Sequence, residues 1–156
     1  MAERVVWDDK YLLGIPEIDS QHKKLIEIAN ELYDIASVST DKYKQEMGTV
    51  LKKIVDYTVY HFSNEEQFMQ KYGYAGSAIH KTAHDSFVRE VEYQVNKLST
   101  DDVAAGSKFY EFISNWILTH IAKADKVWAA FVKPKLVWFI FASSFFWFYK
   151  EPDWIT

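Results

Sequence analysis

All five histidines of this chain fall on the apolar stripes of helical segments, and this restricts the fold more than any other feature of the sequence. A helix brings residues three, four or seven positions apart onto one face. Each imidazole is therefore predicted to point into the same interior as the apolar residues of its segment. The histidines are His22, His61, His80, His84 and His120.

Helical spacing of apolar residues occurs in four stretches, which short clusters of turn-forming residues separate. Four helices joined by short loops predict an all-α fold, an antiparallel up-down four-helix bundle preceded by an N-terminal arm. The predicted segments run from the cap-like pair Asp19–Ser20 to about residue 37, from Thr40 or Asp41 to before Gly73, from about Ser77 to Leu98, and from the capping cluster 99–102 to near Pro134.

Two carboxylates share the histidine stripes. Glu65 lies four residues after His61, which places both side chains on one inward row. Asp125 follows His120 by five residues, an offset of about 140° on an ideal helix, so the carboxylate must reach round or the helix must widen locally. The apolar residues predicted to face inward on this fourth segment are Phe109, Ile113, Trp116, Ala124, Val127 and Phe131.

The composition excludes several classes of protein. At 156 residues, 49% of them apolar, the chain is predicted to form one compact bundle. A net charge of −4 without a basic stripe argues against nucleic-acid binding. The chain has no cysteine, so any metal must be held by nitrogen and oxygen. The charged residues 1–10 do not form a secretory signal, which makes a cytoplasmic location the expectation.

A metal centre explains the set of inward polar residues better than ordinary packing does. A single histidine on an apolar stripe is usually a core residue with a hydrogen-bonded neighbour. Five imidazoles and two carboxylates at one level of a bundle would carry a heavy desolvation cost unless a positive charge compensates it. Other acidic residues lie among lysines or on outer faces and are predicted to be solvated: Glu27, Glu31, Glu66, Asp85 and Glu90.

Four motifs in order resemble the ligand series of the hemerythrin family. They are SQH at 20–22, HFSNE at 61–65, HKTAH at 80–84 and HIAKAD at 120–125. Trp7 followed by GIPEIDSQH also resembles the N-terminal arm of bacteriohemerythrins. The resemblance covers about residues 7–133, and every ligand position of the series is filled.

The resemblance implies a non-haem di-iron centre that binds dioxygen reversibly. By analogy His80, His84 and His120 would hold one iron, and His22 with His61 the other. Glu65 and Asp125 would bridge the two irons together with a solvent-derived oxo or hydroxo group. Candidate residues for lining the oxygen pocket are Trp116, Ile117 and Ile121, which flank His120.

Coordination numbers agree with one free position. If both ions are six-coordinate, five histidines, two bridging carboxylates and one bridging oxygen leave one of twelve positions open. Seven protein ligands are too many for one tetrahedral zinc ion, and magnesium and calcium prefer oxygen donors. Copper, manganese or zinc in place of iron stays open at this point, because affinity order alone does not select iron.

Two classes of function fit such a centre. The favoured one is an oxygen-binding protein, not an enzyme, which carries or stores dioxygen or delivers it to an oxygen-consuming enzyme. The alternative is a redox enzyme or sensor acting on peroxide, nitric oxide or oxygen, and a weak peroxidase-type activity is left open. No candidate general acid or base stands out near the proposed ligands in the sequence, which favours the binding protein.

The C-terminal stretch 136–149 is apolar apart from two serines. As a helix it would be about 21 Å long, shorter than the roughly 30 Å hydrocarbon core, so it does not predict a membrane span. We divide the chain into a bundle domain, 1–135, and an extension, 136–156. The favoured interpretations of the extension are a segment folded over the bundle, a contact between protomers, or a tail without function. Attachment to a membrane surface is the less favoured alternative.

Overall fold

The structure, a computed structural model, describes residues 3–36, 40–98 and 103–136. Most of these residues lie in four long helices. No strand occurs within these ranges. The first helix packs on the second and the fourth, and the second packs on the third. The predicted all-α bundle is confirmed. The helices are Pro16–Ala36 (α1), Thr40–Lys71 (α2), Ser77–Lys97 (α3) and Val103–His120 (α4).

Helix α1 begins at Pro16, three residues before the cap predicted at Asp19–Ser20. Proline suits this position, since its fixed φ is helical and its missing N–H would have had no partner there. The Asp19 carboxylate instead accepts hydrogen bonds from the backbone N–H groups of Leu13 (2.7 Å) and Gly14 (3.0 Å). Gly14 has φ +78°, a conformation that favours glycine. The predicted cap was wrong, and Asp19 fixes the turn that leads into α1.

The N-terminal arm, residues 3–15, is tied to both α1 and α4. The backbone N–H of Val5 donates to Asn30 Oδ1 (3.0 Å), and the Asn30 amide donates back to the Val5 carbonyl (2.8 Å). The Tyr110 hydroxyl donates to the carbonyl of Glu3 (2.8 Å). The arm therefore holds the first and last helices of the bundle together.

Helix α2 ends where the sequence predicts. Gly73 has φ +68°, its N–H donates to the Gln70 carbonyl (3.1 Å), and the N–H of Tyr74 donates to the Met69 carbonyl (2.9 Å). This is the Schellman pattern, in which a left-handed glycine closes the last turn of a helix. The tight ending lets α3 start at Ser77 and return along α2.

After His120 the helix widens into a π turn, Ile121–Asp125, and helical backbone then continues over 126–136. A π turn contains one more residue than an α turn. Asp125 therefore comes back to the face of His120 despite the spacing of five, and local widening was one of the two solutions that the spacing allowed.

The extra residue also shifts every apolar position that follows it. Trp128 and Val132 are fully buried, whereas Val127 is 59% and Phe131 38% exposed. The prediction that Val127 and Phe131 face inward was wrong, because it continued the α-helical register through the π turn.

A layer of polar residues separates two apolar clusters. The larger cluster contains Leu25, Phe62 and Ile121. The smaller cluster consists of Leu13, Ile15, Ile18, Met69, Tyr72, Trp128, Ala129 and Val132. Along α1, for example, His22 lies between Ile18 of the smaller cluster and Leu25 of the larger one. The bundle thus places its polar side chains between two dry regions.

The predicted extension lies outside the described residues except for Leu136, which is partly buried against the smaller cluster. The domain boundary after residue 135 stays a prediction. None of the described helices combines the length and the apolar composition of a membrane span.

Candidate metal centre

Seven buried side chains from all parts of the bundle meet in the polar layer. Helices α1 and α3 contribute from their N-terminal halves, whereas α2 and α4 contribute from their C-terminal ends. Successive helices therefore run past the layer in opposite directions, as an antiparallel bundle requires. The seven are those that the sequence singled out: His22, His61, Glu65, His80, His84, His120 and Asp125.

Three of these histidines, His80, His84 and His120, form what we call the three-histidine group. Nε2 of His120 lies 3.0 Å from Nε2 of His84 and 3.2 Å from Nε2 of His80. Glu65 Oε2 is 3.2 Å from His84 Nε2, and Asp125 Oδ1 is 3.1 Å from His120 Nε2. Donor atoms about 3.0 Å apart define the edge of an octahedron with bonds of about 2.1 Å, a usual metal–imidazole distance. The group has the dimensions of a site for one six-coordinate ion.

The remaining imidazoles, His22 and His61, form the two-histidine group. Nε2 of His22 lies 3.4 Å from Glu65 Oε1 and 3.4 Å from Asp125 Oδ2. Nε2 of His61 lies 3.6 Å from Glu65 Oε1. Each carboxylate therefore turns one oxygen toward the three-histidine group and the other toward the two-histidine group.

Several buried polar atoms of the layer form no hydrogen bond with any described residue, although some of them lie 3.1–3.4 Å from a histidine nitrogen or carboxylate oxygen of the layer. They include both ring nitrogens of His22, Glu65 Oε1 and both oxygens of Asp125. Unpaired buried polar atoms are costly, and a cation would satisfy them. Imidazole and carboxylate donors suit iron and other divalent transition metals, so the donor set fits a pair of such ions.

Protons balance the charges in the absence of metal. Burial opposes protonation of His22 and His80, but Asp125 and Glu65 outweigh it and raise the pKa of each histidine to about 9. Burial lowers the pKa of His61 to about 4. Burial and Asp125 also oppose ionisation of Glu65, yet the surrounding histidines hold the pKa of Glu65 below its ordinary value. At neutral pH two imidazolium ions thus neutralise two carboxylates, and metal ions would displace those protons.

Two polar residues contact the outer nitrogens of the layer histidines. Gln21 Oε1 lies 3.0 Å from His61 Nδ1, and Glu66 Oε1 lies 3.1 Å from His84 Nδ1. Such partners fix the orientation of a metal-binding imidazole. Glu66 was predicted to be a solvated surface residue, and that prediction was wrong, because its side chain is only 26% exposed and faces His84.

Aromatic rings fix the planes of two imidazoles in the three-histidine group. Phe62 stacks on His84 with centroids 3.7 Å apart and planes 2° from parallel. Trp116 stacks on His120 at 4.3 Å and 13°, and Phe87 covers the other side of Trp116 at 3.9 Å. The orientation of both histidines is therefore set by packing before any metal binds.

Comparison with known proteins agrees with this geometry. The family model described as the hemerythrin HHE cation binding domain matches residues 13–132. The chain belongs to the hemerythrin family. The matched residues include all seven side chains of the polar layer.

Similar hemerythrin-family proteins cover most of this chain. The bacteriohemerythrin of Clostridium acetobutylicum is 35% identical over 124 residues, 78% of this chain and 95% of the relative. That of Pseudomonas aeruginosa is 37% identical over 122 residues, 78% of this chain and 76% of the relative. A crystal structure of wild-type hemerythrin superimposes with a TM-score of 0.70 at 30% identity, covering 82% of this chain and 97% of that one. The family relationship thus extends to the whole bundle.

Proposed function

We propose that this chain binds dioxygen reversibly at a centre of two irons and so carries it, stores it or delivers it to an oxygen-consuming enzyme. The observation that carries the proposal is the placement of Glu65 and Asp125, each with one oxygen toward each histidine group. The two carboxylates would bridge the irons together with a solvent-derived oxo or hydroxo group. Two ferrous ions, when bound, supply the electrons on which dioxygen binding depends.

The two-histidine group offers the place for dioxygen. It contributes one imidazole fewer than the three-histidine group, while Glu65 belongs to both groups and Asp125 Oδ2 lies 3.4 Å from His22 Nε2. With six-coordinate ions and one bridging solvent oxygen, the unfilled position would fall to the ion held by His22 and His61. Both side chains are almost completely buried, so a small neutral molecule would enter more readily than a charged substrate.

Apolar residues around the layer would protect the centre from water. Ile117 and Ile121 are buried in the larger cluster, and we propose that they line the oxygen pocket. Trp116, the third candidate, stacks on His120, so it would shield the three-histidine group from water. Excluding water slows loss of electrons to solvent-borne species and favours release of unchanged dioxygen.

The test combines metal analysis with optical spectroscopy. The full chain is reconstituted with ferrous iron under anaerobic conditions, exposed to air and then returned to an oxygen-free atmosphere. We expect two irons per chain and a spectrum that changes with oxygen and returns after its removal. Glu65→Ala should lower the iron content, because it removes a donor from both groups. Glu27→Ala, at an exposed residue paired with Lys24, is the matched control.

Two results would contradict the proposal. One iron per chain in well-loaded wild-type protein would refute the two-ion centre. Oxidation at first contact with oxygen, with catalytic consumption of peroxide or of a reductant, would assign the chain to the enzyme class instead.

A further inference from the structure

We propose that Glu66 is a positioning residue that lowers the reduction potential of the metal centre by acting through His84. The inference rests on the proposed function, because it requires a redox-active metal bound by His84. Neither the ligand motifs nor the family relationship assigns a role to Glu66.

The His84 ring connects Glu66 directly to the polar layer. Glu66 Oε1 lies 3.1 Å from Nδ1 of His84, while Nε2 on the opposite side of the ring lies 3.2 Å from Glu65 Oε2. Phe62 stacks in parallel on this ring and holds its plane. With Nε2 directed at the metal position, Nδ1 carries the proton and donates it in a hydrogen bond to Glu66.

A carboxylate at this place makes the imidazole a stronger ligand. It draws the Nδ1 proton toward itself and increases the negative charge on the ring, which stabilises the more oxidised metal ion. The corresponding nitrogen of His61 faces Gln21, whose amide oxygen carries no formal charge. The structure therefore gives the three-histidine group an anionic partner and the two-histidine group a neutral one.

Glu66 also lies at the wall of a surface groove of about 430 Å³ between α2 and α3. Lys81 stands in the same groove, 3.5 Å from Glu66 and 2.7 Å from Asp85. Asp85 pairs with the same lysine and is more exposed than Glu66, 46% against 26% of the side chain, so it supplies a like charge in the same groove without the hydrogen bond to His84. This difference separates the effect of the hydrogen bond from that of charge alone.

The experiment measures the midpoint potential of the iron-reconstituted full chain by spectroelectrochemical titration, with iron content determined on the same samples. Glu66→Gln removes the charge and keeps an acceptor, Glu66→Asp keeps the charge but withdraws it from Nδ1, and Asp85→Asn removes a charge from the groove. We expect both Glu66 variants to raise the midpoint potential. For Glu66→Gln we expect a tenfold change in the equilibrium constant for one-electron reduction of the centre, which corresponds to about 59 mV. Asp85→Asn should shift the potential much less.

The outcomes separate this inference from the proposed function. Equal shifts in Glu66→Gln and Asp85→Asn, or a wild-type potential in Glu66→Asp, would overturn the role of the hydrogen bond. If Glu66→Gln fails to retain iron, the test rests on Glu66→Asp. A raised midpoint potential in that variant supports the role of Glu66, and an unchanged potential overturns it. A wild-type chain that holds no redox-active iron would refute the proposed function itself, whereas a loaded wild type with unmoved variants refutes only the role of Glu66.

Discussion

Replacing Trp128 by alanine tests the register that the π turn imposes on the end of the bundle. The Trp128 side chain is fully buried, and its indole N–H donates no hydrogen bond to any residue that the structure describes. Burial of about 150–250 Å² at about 25 cal/mol per Å² corresponds to about 4–6 kcal/mol. Measured costs of such truncations are about 3–5 kcal/mol, because the surroundings relax in part. We therefore expect the free energy of unfolding to fall by about 4 kcal/mol.

The neighbouring residue supplies the control. Val127 is 59% exposed, and alanine is the better helix former, so Val127→Ala should change stability by no more than about 0.5 kcal/mol. Urea denaturation of the metal-free chain, followed by far-ultraviolet circular dichroism, measures both variants. With a slope of about 2 kcal/mol per molar, Trp128→Ala should lower the urea midpoint by about 2 M. An equal loss in Val127→Ala would refute the shifted register.

Three further predictions concern the centre. Because the pKa values of His22 and His80 are raised to about 9, both imidazoles are protonated at pH 7, and metal loading should release at least about two protons. Calorimetry in buffers of different ionisation enthalpy measures this release, which should decrease as the pH rises through 9. Ile117→Asn should admit water and speed autoxidation at unchanged iron content, followed by stopped-flow absorption; an unchanged rate would remove Ile117 from the proposed lining. Truncation after Lys135 should preserve the oxygen-dependent spectrum, since every proposed ligand precedes it, and loss of iron loading would show that the domain boundary is misplaced.

The residues of the polar layer were predictable because the sequence alone shows polar side chains at positions whose spacing predicts burial. Histidines at helical spacing from apolar residues must be buried, and buried imidazoles need compensation. The spacing of five between His120 and Asp125 allowed two solutions, and a local widening of the helix was one of them. Its effect on Val127 and Phe131 was missed, because the extra residue acts on the register of everything that follows.

The partners of the outer nitrogens could not be predicted in the same way. Gln21 precedes His22 on α1 but contacts His61 on α2, and Glu66 follows Glu65 on α2 but contacts His84 on α3. Each residue is therefore adjacent to one proposed ligand in the sequence, but its side chain contacts a proposed ligand on the next helix. Periodicity places a residue on its own helix and carries no information about the neighbouring helix, so Glu66 resembled an ordinary surface acid.

The polar layer lies between the two apolar clusters, so metal ions bound there would connect the two clusters as well as occupy a binding site. The smaller cluster includes Leu13 and Ile15 of the arm, and the polar layer lies between this cluster and the larger one. Ions that bind in this layer would raise the free energy of local opening on both sides of it. Loss of metal would then loosen the last residues of the arm, Leu13 and Ile15, together with the end of the last helix, with faster amide hydrogen exchange there than around the larger cluster. Gain and loss of metal would thereby set how rigid one end of the bundle is.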